Sequence, residues 1–170
     1  VDVIYGSANT ALFEECEINL CEDPRGDYNA YAVKSIAPKD KNGFVFSDCT
    51  FTGEKRKKSS LYVMRTAGKG SASSLLGWDS IALLNCKVSY VYDEEFSWDD
   101  DHSLDVYPRA NANVGWREYK TKIIEKNGSL VEADTSRRNV KSYLLTEDDY
   151  FKGYASRFLI LHDTPFAVEK

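Results

Sequence analysis

Three things are scarce in this chain of 170 residues, and each scarcity closes a class of function. No apolar run approaches the roughly 18 residues that a membrane-spanning helix needs, and no stretch has the makeup of a signal peptide. Positive charge is outnumbered, with 22 Lys and Arg against 27 Asp and Glu for a net charge of −5. That balance argues against a nucleic-acid binder, whose affinity comes largely from basic patches. There are only two histidines, His102 and His162, and neither has partners arranged for a metal site or a Ser/His triad. Segments long enough for a confident helix are missing as well. What remains, 42% hydrophobic and 13% aromatic, suffices to bury one core, and the chain reads as a single domain.

What is present is a repeat. The phrase Phe13-Glu14-Glu15-Cys16-Glu17-Ile18 returns as Phe46-Ser47-Asp48-Cys49-Thr50-Phe51 and as Leu83-Leu84-Asn85-Cys86-Lys87-Val88. The intervals, 33 residues (49 minus 16) and 37 (86 minus 49), lie in the range of repeat arrays. A second series keeps step with it: Val1 to Tyr5, Tyr31 to Ile36, Leu61 to Arg65. These segments are short, rich in β-branched and aromatic residues and bounded by turn formers, so they read as strands. Because like strands return after some 30 residues rather than after a tight turn, they are expected to lie parallel, coil upon coil, about 4.8 Å apart. The fold expected is therefore all-β, a right-handed parallel β-helix. Coils are expected over residues 1–116, with 117–170 forming a short helical or irregular cap of the same domain. Phe13, Phe46 and Leu83 should stack in successive coils. Cys16, Cys49 and Cys86 should point inward at one level as free buried thiols, although neighbouring coils bring them near enough for a disulfide. Cys21 has no assignment.

The chain opens on Val1 in mid-strand, so the edge there is expected to be covered by upstream coils or by another chain. The basic run Lys55-Arg56-Lys57-Lys58 reads as a solvated loop, or as a contact for an acidic polymer. The acidic run Asp99-Asp100-Asp101-His102 reads as a loop too, since it lacks the spaced ligands and the Gly of a calcium loop. Lys126-Asn127-Gly128-Ser129 reads as a turn. Thr146, with Asp149 three residues on, marks the start of a short amphipathic helix running towards Leu159, a polar cap for the end of the stack.

Several of these segments resemble the pectin methylesterases, carbohydrate esterases built on a right-handed parallel β-helix. Val1-Asp2-Val3-Ile4-Tyr5-Gly6 is similar to the family's V-D-F-I-F-G motif, and the apolar strand ending in Cys16 follows it as in the family. Gly43-Phe44-Val45-Phe46 and Ile81-Ala82-Leu83-Leu84-Asn85-Cys86 resemble later strands, and Gly115-Trp116-Arg117-Glu118-Tyr119 resembles the segment that opens the C-terminal part of bacterial members. The resemblance implies metal-free hydrolysis of the methyl esters of pectin, without a cofactor, by a secreted or periplasmic protein. It makes Asp2 the nucleophile and Arg65 the residue that holds it ionised. The upstream aspartate and oxyanion glutamines of the family would lie before residue 1. The family's L-G-R-P-W reads here Val63-Met64-Arg65-Thr66-Ala67, so its tryptophan is missing, and Trp78 stands in for it as a substrate-binding residue.

The chemistry needs an ionised, aimed carboxylate, and a guanidinium favours the charged form and fixes its direction. On the same strand series two coils apart, Asp2 and Arg65 are expected about 9 to 10 Å apart at the backbone. Asp2 read without the resemblance is an exposed strand-end carboxylate, and Arg65 a surface residue paired with an acid. Tyr5 is either a ring that stacks on a sugar or a core ring. Trp78 and Trp116 read as core residues before carbohydrate platforms. The rival functions are a non-catalytic carbohydrate-binding β-helix and a polysaccharide lyase, which would need clustered acids for Ca²⁺.

Overall fold

A computed structural model describes residues 2–21, 28–38, 41–65, 78–98, 111–113, 115–138 and 142–167; of Asp2, Trp78, Ser97 and Trp98 it describes the backbone. The chain is mostly β, in mixed sheets rich in parallel pairs. It lays down β1 (Asp2–Ser7), β2 (Thr10–Glu14) and β3 (Glu17–Leu20), then a second set, β4 (Ala30–Ala37), β5 (Gly43–Ser47) and β6 (Thr50–Gly53). A third follows as β7 (Leu61–Arg65), β8 (Trp78–Leu84) and β9 (Lys87–Ser89), and a fourth as β10 (Ser97–Trp98), β11 (Gly115–Tyr119) and β12 (Lys122–Ile124). Each set adds one parallel strand to each of three stacks. Phe13, Phe46 and Leu83 are direct partners across β2, β5 and β8, as the repeated phrase requires, and Ile18, Phe51, Val88 and Ile123 line up across β3, β6, β9 and β12. The Phe13 and Phe46 rings stack at 4.7 Å. An antiparallel contact of Ile36 and Ala37 with Asp79 and Trp78 joins the first two stacks, which makes that sheet mixed.

Between the second and third stacks the chain bends at Glu15, Asp48, Asn85 and Lys120, all with φ between 49° and 55°. Left-handed backbone is costly for a residue with a Cβ. It recurs because each bend bonds to the next: the Glu15, Asp48 and Asn85 amides donate to the Ser47, Leu84 and Tyr119 carbonyls at 3.0, 2.9 and 2.8 Å. The series runs past residue 116, which falls inside β11, with Thr121 buried where the earlier sets carry cysteine. The cysteines are free thiols; Cys49 and Cys86 are buried, while Cys16, whose strand has a neighbour on one side, is exposed.

One core gathers side chains from all three stacks, among them Val33, Met64, Phe46, Leu83, Phe51 and Val88. A second apolar layer lies on the other face of the middle stack, where Val45, Ala82, Leu84 and Tyr119 meet Tyr154 and Ile160. That is why β5 and β8 are apolar without alternation: both of their faces are covered. The covering segment begins at Thr146, whose side chain accepts from the Asp149 amide in a capping box, and forms α1 (Glu147–Gly153) and α2 (Arg157–Ile160). The helical start is where the sequence puts it. Its role differs: the two short helices lie against the flank of the middle stack, back to β2, where Arg157 meets Glu14 at 2.5 Å. An apolar stripe on a helix seeks an apolar face, and the doubly apolar middle stack supplies one.

The far end is closed otherwise. The turn at Asn127–Gly128 reverses the chain into β13 (Leu130–Glu132), antiparallel to β12, and β14 (Ser142–Leu144) extends the middle stack beside β11. Glu118 takes the place in line after Phe13, Phe46 and Leu83. Its buried carboxylate receives the equally buried Arg138 guanidinium in two bonds, 2.9 and 3.0 Å, and that guanidinium lies 3.6 Å from the Phe96 ring centre. A paired charge on an aromatic plate thus closes the interior where the apolar row stops.

Candidate functional site

The outward side of the first stack gathers tyrosines and cations. β4 and β7 each carry two successive core residues, Ala32 and Val33, Val63 and Met64. This break in the alternation leaves Tyr31 and Lys34, and likewise Tyr62 and Arg65, on one outward side. The Tyr31 and Tyr62 rings stack at 5.9 Å. Burial of Tyr62 and the nearby charge of Asp93 push its hydroxyl pKa up. The Arg65 guanidinium lies 4.9 Å from the Tyr31 ring centre, and the Lys34 ammonium 4.9 Å from that of Tyr5. Two cations are thus parked on aromatic faces, Lys34 on the exposed Tyr5 ring and Arg65 on the buried Tyr31 ring, contacts worth about 0.5–1 kcal/mol at an exposed site. Tyr5 itself is 63% exposed, which decides for the open-face reading over the core ring.

Backbone register orders the face into rows. Asp2, Tyr31 and Tyr62 are partners across β1, β4 and β7. Tyr5 pairs with Lys34, Val33 with Met64, and Arg65, next after Met64, with Trp98 of β10. Arg65 therefore does not stand on the level of Asp2, as the repeat alone implied. It is three residues further along its strand, so the two backbones are about 14 Å apart by strand geometry. The cause is the register: the row of Asp2 continues to Tyr31 and Tyr62, and Arg65, three residues on, falls on the row of Tyr5 and Lys34. Arg65 leans back over Tyr31, the strand neighbour of Asp2.

Trp78 belongs to a different place: it pairs with Ala37 at the end of β4, three residues beyond Lys34. Trp98 is the tryptophan that register sets beside Arg65. Trp116 is a core residue, 1% exposed. Thr66, Ala67, the Asp99–Asp101 run and His102 lie outside the described residues. His162 is exposed, with Nδ1 against the Leu159 carbonyl at 2.9 Å. The basic run follows β6 as a largely exposed loop, with Arg56 donating to the Cys21 carbonyl at 3.1 Å. Lys34 and Trp98 escaped the sequence reading, yet both left a signal. Lys34 follows Tyr31 by three, as Arg65 follows Tyr62 and Tyr5 follows Asp2, and Trp98 comes 33 residues after Arg65 (98 minus 65).

Elsewhere a cavity of about 420 Å³ lies beside β9, β12 and β13, lined by Tyr90, Phe96, Glu125, Val131 and Arg138 among others, and one of about 300 Å³ adjoins Thr121 and Leu144. Among the described side chains, neither Tyr5 nor Arg65 lines either cavity. Among the described residues no three His, Cys, Asp or Glu side chains are grouped to hold a metal ion, and no helix is long and apolar enough to cross a membrane. Compared with known proteins, the chain matches no family model and no curated protein.

Proposed function

We propose that this chain is a pectinesterase-like carbohydrate esterase that engages methyl-esterified polygalacturonate on the outward face of its first stack. The stacks are read as successive coils of a right-handed parallel β-helix, the hand that parallel crossovers adopt almost without exception. Asp2 is the nucleophile: its carboxylate attacks the ester carbonyl, methanol leaves, and water then releases the acid. Arg65 favours the ionised carboxylate from above Tyr31, and Tyr5 and Trp78 bind sugar rings. The protein acts outside the cytoplasm, on pectin, without a cofactor. The observation that supports this most is the row of cations held on tyrosines, Lys34 on Tyr5 and Arg65 on Tyr31, one strand from Asp2 in a chain that is acidic overall. Aromatic faces suit the apolar side of a sugar ring and the cations suit its carboxylates.

A second reading, a carbohydrate-binding relative without catalysis, is favoured by Ala67 in place of the family's tryptophan and by the displacement of Arg65 from the level of Asp2. Methanol release from methyl-esterified polygalacturonate by the intact natural protein separates the two. Esterase activity that is abolished by Asp2→Asn and strongly weakened by Arg65→Lys, with the fold retained, is the expected result. Turnover that survives Asp2→Asn overturns the catalytic assignment, and tight polymer binding without methanol selects the second reading.

A further inference from the structure

We propose that Asn127 is a site of spontaneous covalent modification, at which the Gly128 amide nitrogen closes on the Asn127 side-chain carbonyl and water turns the amide into aspartate and isoaspartate. The chain carries its own contrast. Lys41-Asn42-Gly43 has the same three residue types in the same order as Lys126-Asn127-Gly128, and the fold locks it against the reaction.

Ring closure needs a glycine nitrogen that no Cβ screens, a side-chain carbonyl within its reach, and backbone free to turn. The turn between β12 and β13 supplies all three. Asn127 and Gly128 are exposed, Gly128 has φ +85°, and a Cβ placed on it would meet nothing within 4 Å. The Ser129 amide donates to Asn127 Oδ1 at 2.9 Å, which draws electrons away from the carbon under attack. Two backbone bonds hold the turn: the Gly128 amide donates to the Glu125 carbonyl and the Glu125 amide to the Ser129 carbonyl, both at 2.9 Å. Neither is anchored in the core. Every residue of β13 is exposed, and β13 is an edge strand paired with β12, so the turn opens at little cost.

Asn42 is held at both ends of its amide. Its Nδ2 donates to the Ile160 carbonyl at 3.0 Å, and its Oδ1 accepts from the buried Arg117 guanidinium at 3.4 Å. The backbone is held too. The Asn42 carbonyl accepts from Arg117 at 2.5 Å and from the Ser80 hydroxyl at 2.9 Å, while the Gly43 amide donates to the Asn9 carbonyl at 2.9 Å. A Cβ on Gly43 would lie 2.2 Å from the Ser80 carbonyl oxygen, so the peptide has no room to swing. Closure at Asn42 must first part α2 from the middle stack, a far larger opening than that of a hairpin turn.

The step needs water and a base alone. Hydroxide removes the Gly128 amide proton, the nitrogen attacks Asn127 Cγ, and the bond from Cγ to Nδ2 breaks as ammonia leaves with a proton from solvent. The product is a five-membered succinimide. Water adding at Cγ returns the normal backbone with aspartate, and water adding at the backbone carbonyl carbon leaves Gly128 joined through Cγ as isoaspartate. One water is consumed and one ammonia released, with no change of oxidation state.

The test is to hold the folded chain at pH 8, sample it over time, and follow the tryptic peptides 42–55 and 127–137 by mass spectrometry, with an unincubated sample digested alongside and the isomers separated by electron-transfer fragmentation. Asn127 should convert more than about tenfold faster than Asn42, yielding isoaspartate as well as aspartate, at a rate that climbs with pH. In denaturant the two rates should draw together, because sequence then decides. Asn127→Gln, a change in an exposed turn, should fold normally and leave that peptide unmodified. Asn42 converting as fast as Asn127 in the folded chain, an Asn127 that stays intact while the denatured chain converts, aspartate without isoaspartate, or a gap that survives denaturation would each overturn the proposal.

Discussion

Replacing Glu118 by leucine would continue the apolar row of Phe13, Phe46 and Leu83 by one place, and by pattern alone it should stabilise the chain. The pairing says the opposite. Glu118 and Arg138 side chains are 3% and 5% exposed and joined by two charge-assisted bonds. Removing one member of a buried pair leaves the other charged and desolvated, which costs about 3–5 kcal/mol. Arg138 would keep the Asp134 carbonyl at 3.2 Å, the Glu94 carbonyl and the face of Phe96, so the lower end of that range is expected for Glu118→Leu. Arg138→Met should cost at least as much, since the stranded carboxylate has no such alternatives among its bonds. The double variant removes both desolvated charges together and should lie within about 1 kcal/mol of the parent, because apolar groups of like volume replace buried ion pairs at little cost. Equilibrium urea unfolding at pH 7, followed by tryptophan fluorescence, would measure all four corners of the cycle. A single substitution costing under about 1 kcal/mol, or a double that costs the sum of the singles, would refute the idea that this pair closes the interior.

Two further outcomes follow from other parts of the chain. Gly43 has φ +65°, and a Cβ there would lie 2.2 Å from the Ser80 carbonyl oxygen, so Gly43→Ala should lose at least about 2 kcal/mol in the same unfolding assay; a loss under half of that would mean that β5 and β8 separate easily at this point. Asp163 is held below its ordinary value of 3.8, first by its bond to Lys41 at 2.5 Å. A depressed folded pKa contributes stability that is present above the ordinary value and is lost as pH falls through the folded one. The thermal midpoint should therefore drop less steeply on acidification in Lys41→Met than in the parent, and parallel acid limbs would show that the contact is not formed in solution.

The stacking of like strands could be read from the sequence because repetition fixes it: a phrase that returns with its apolar positions intact puts Phe13, Phe46 and Leu83 at one level whatever the turns between them do. The fourth set was illegible for the converse reason. At its corresponding positions it has Glu118 for the apolar residue, Lys120 at the left-handed bend and Thr121 for cysteine, and Glu118 fits there only because Arg138, distant in sequence, meets it. The helical strap was legible at its start, since Thr146 and Asp149 form a local cap, and illegible in its placement. A hint was there in Phe44-Val45-Phe46 and Ile81-Ala82-Leu83-Leu84, runs too apolar for a stack with one wet face. The error over Arg65 was one of phase. Membership of one strand series fixes the stack and not the row, and register pairs Asp2 with Tyr31 and Tyr31 with Tyr62, three residues short of Arg65.

That phase shift also bears on where function resides. Of the three outward faces, the middle one is spent on packing against Tyr154 and Ile160. The third carries small and charged groups such as Glu17, Asn19, Thr52 and Lys87, bonded among themselves in part, as when Thr52 donates to Glu17 at 2.9 Å. Such a surface is what solubility alone requires. The first face is different: placing Tyr62 and Arg65 on one side takes a break in the alternation, and it sets cations on rings in contacts that add little to stability. Selection for folding would favour strict alternation with a polar exterior. The face that departs from that pattern in two strands at the same place, at Ala32-Val33 and again at Val63-Met64, is the one to which the proposed function assigns its sugar contacts.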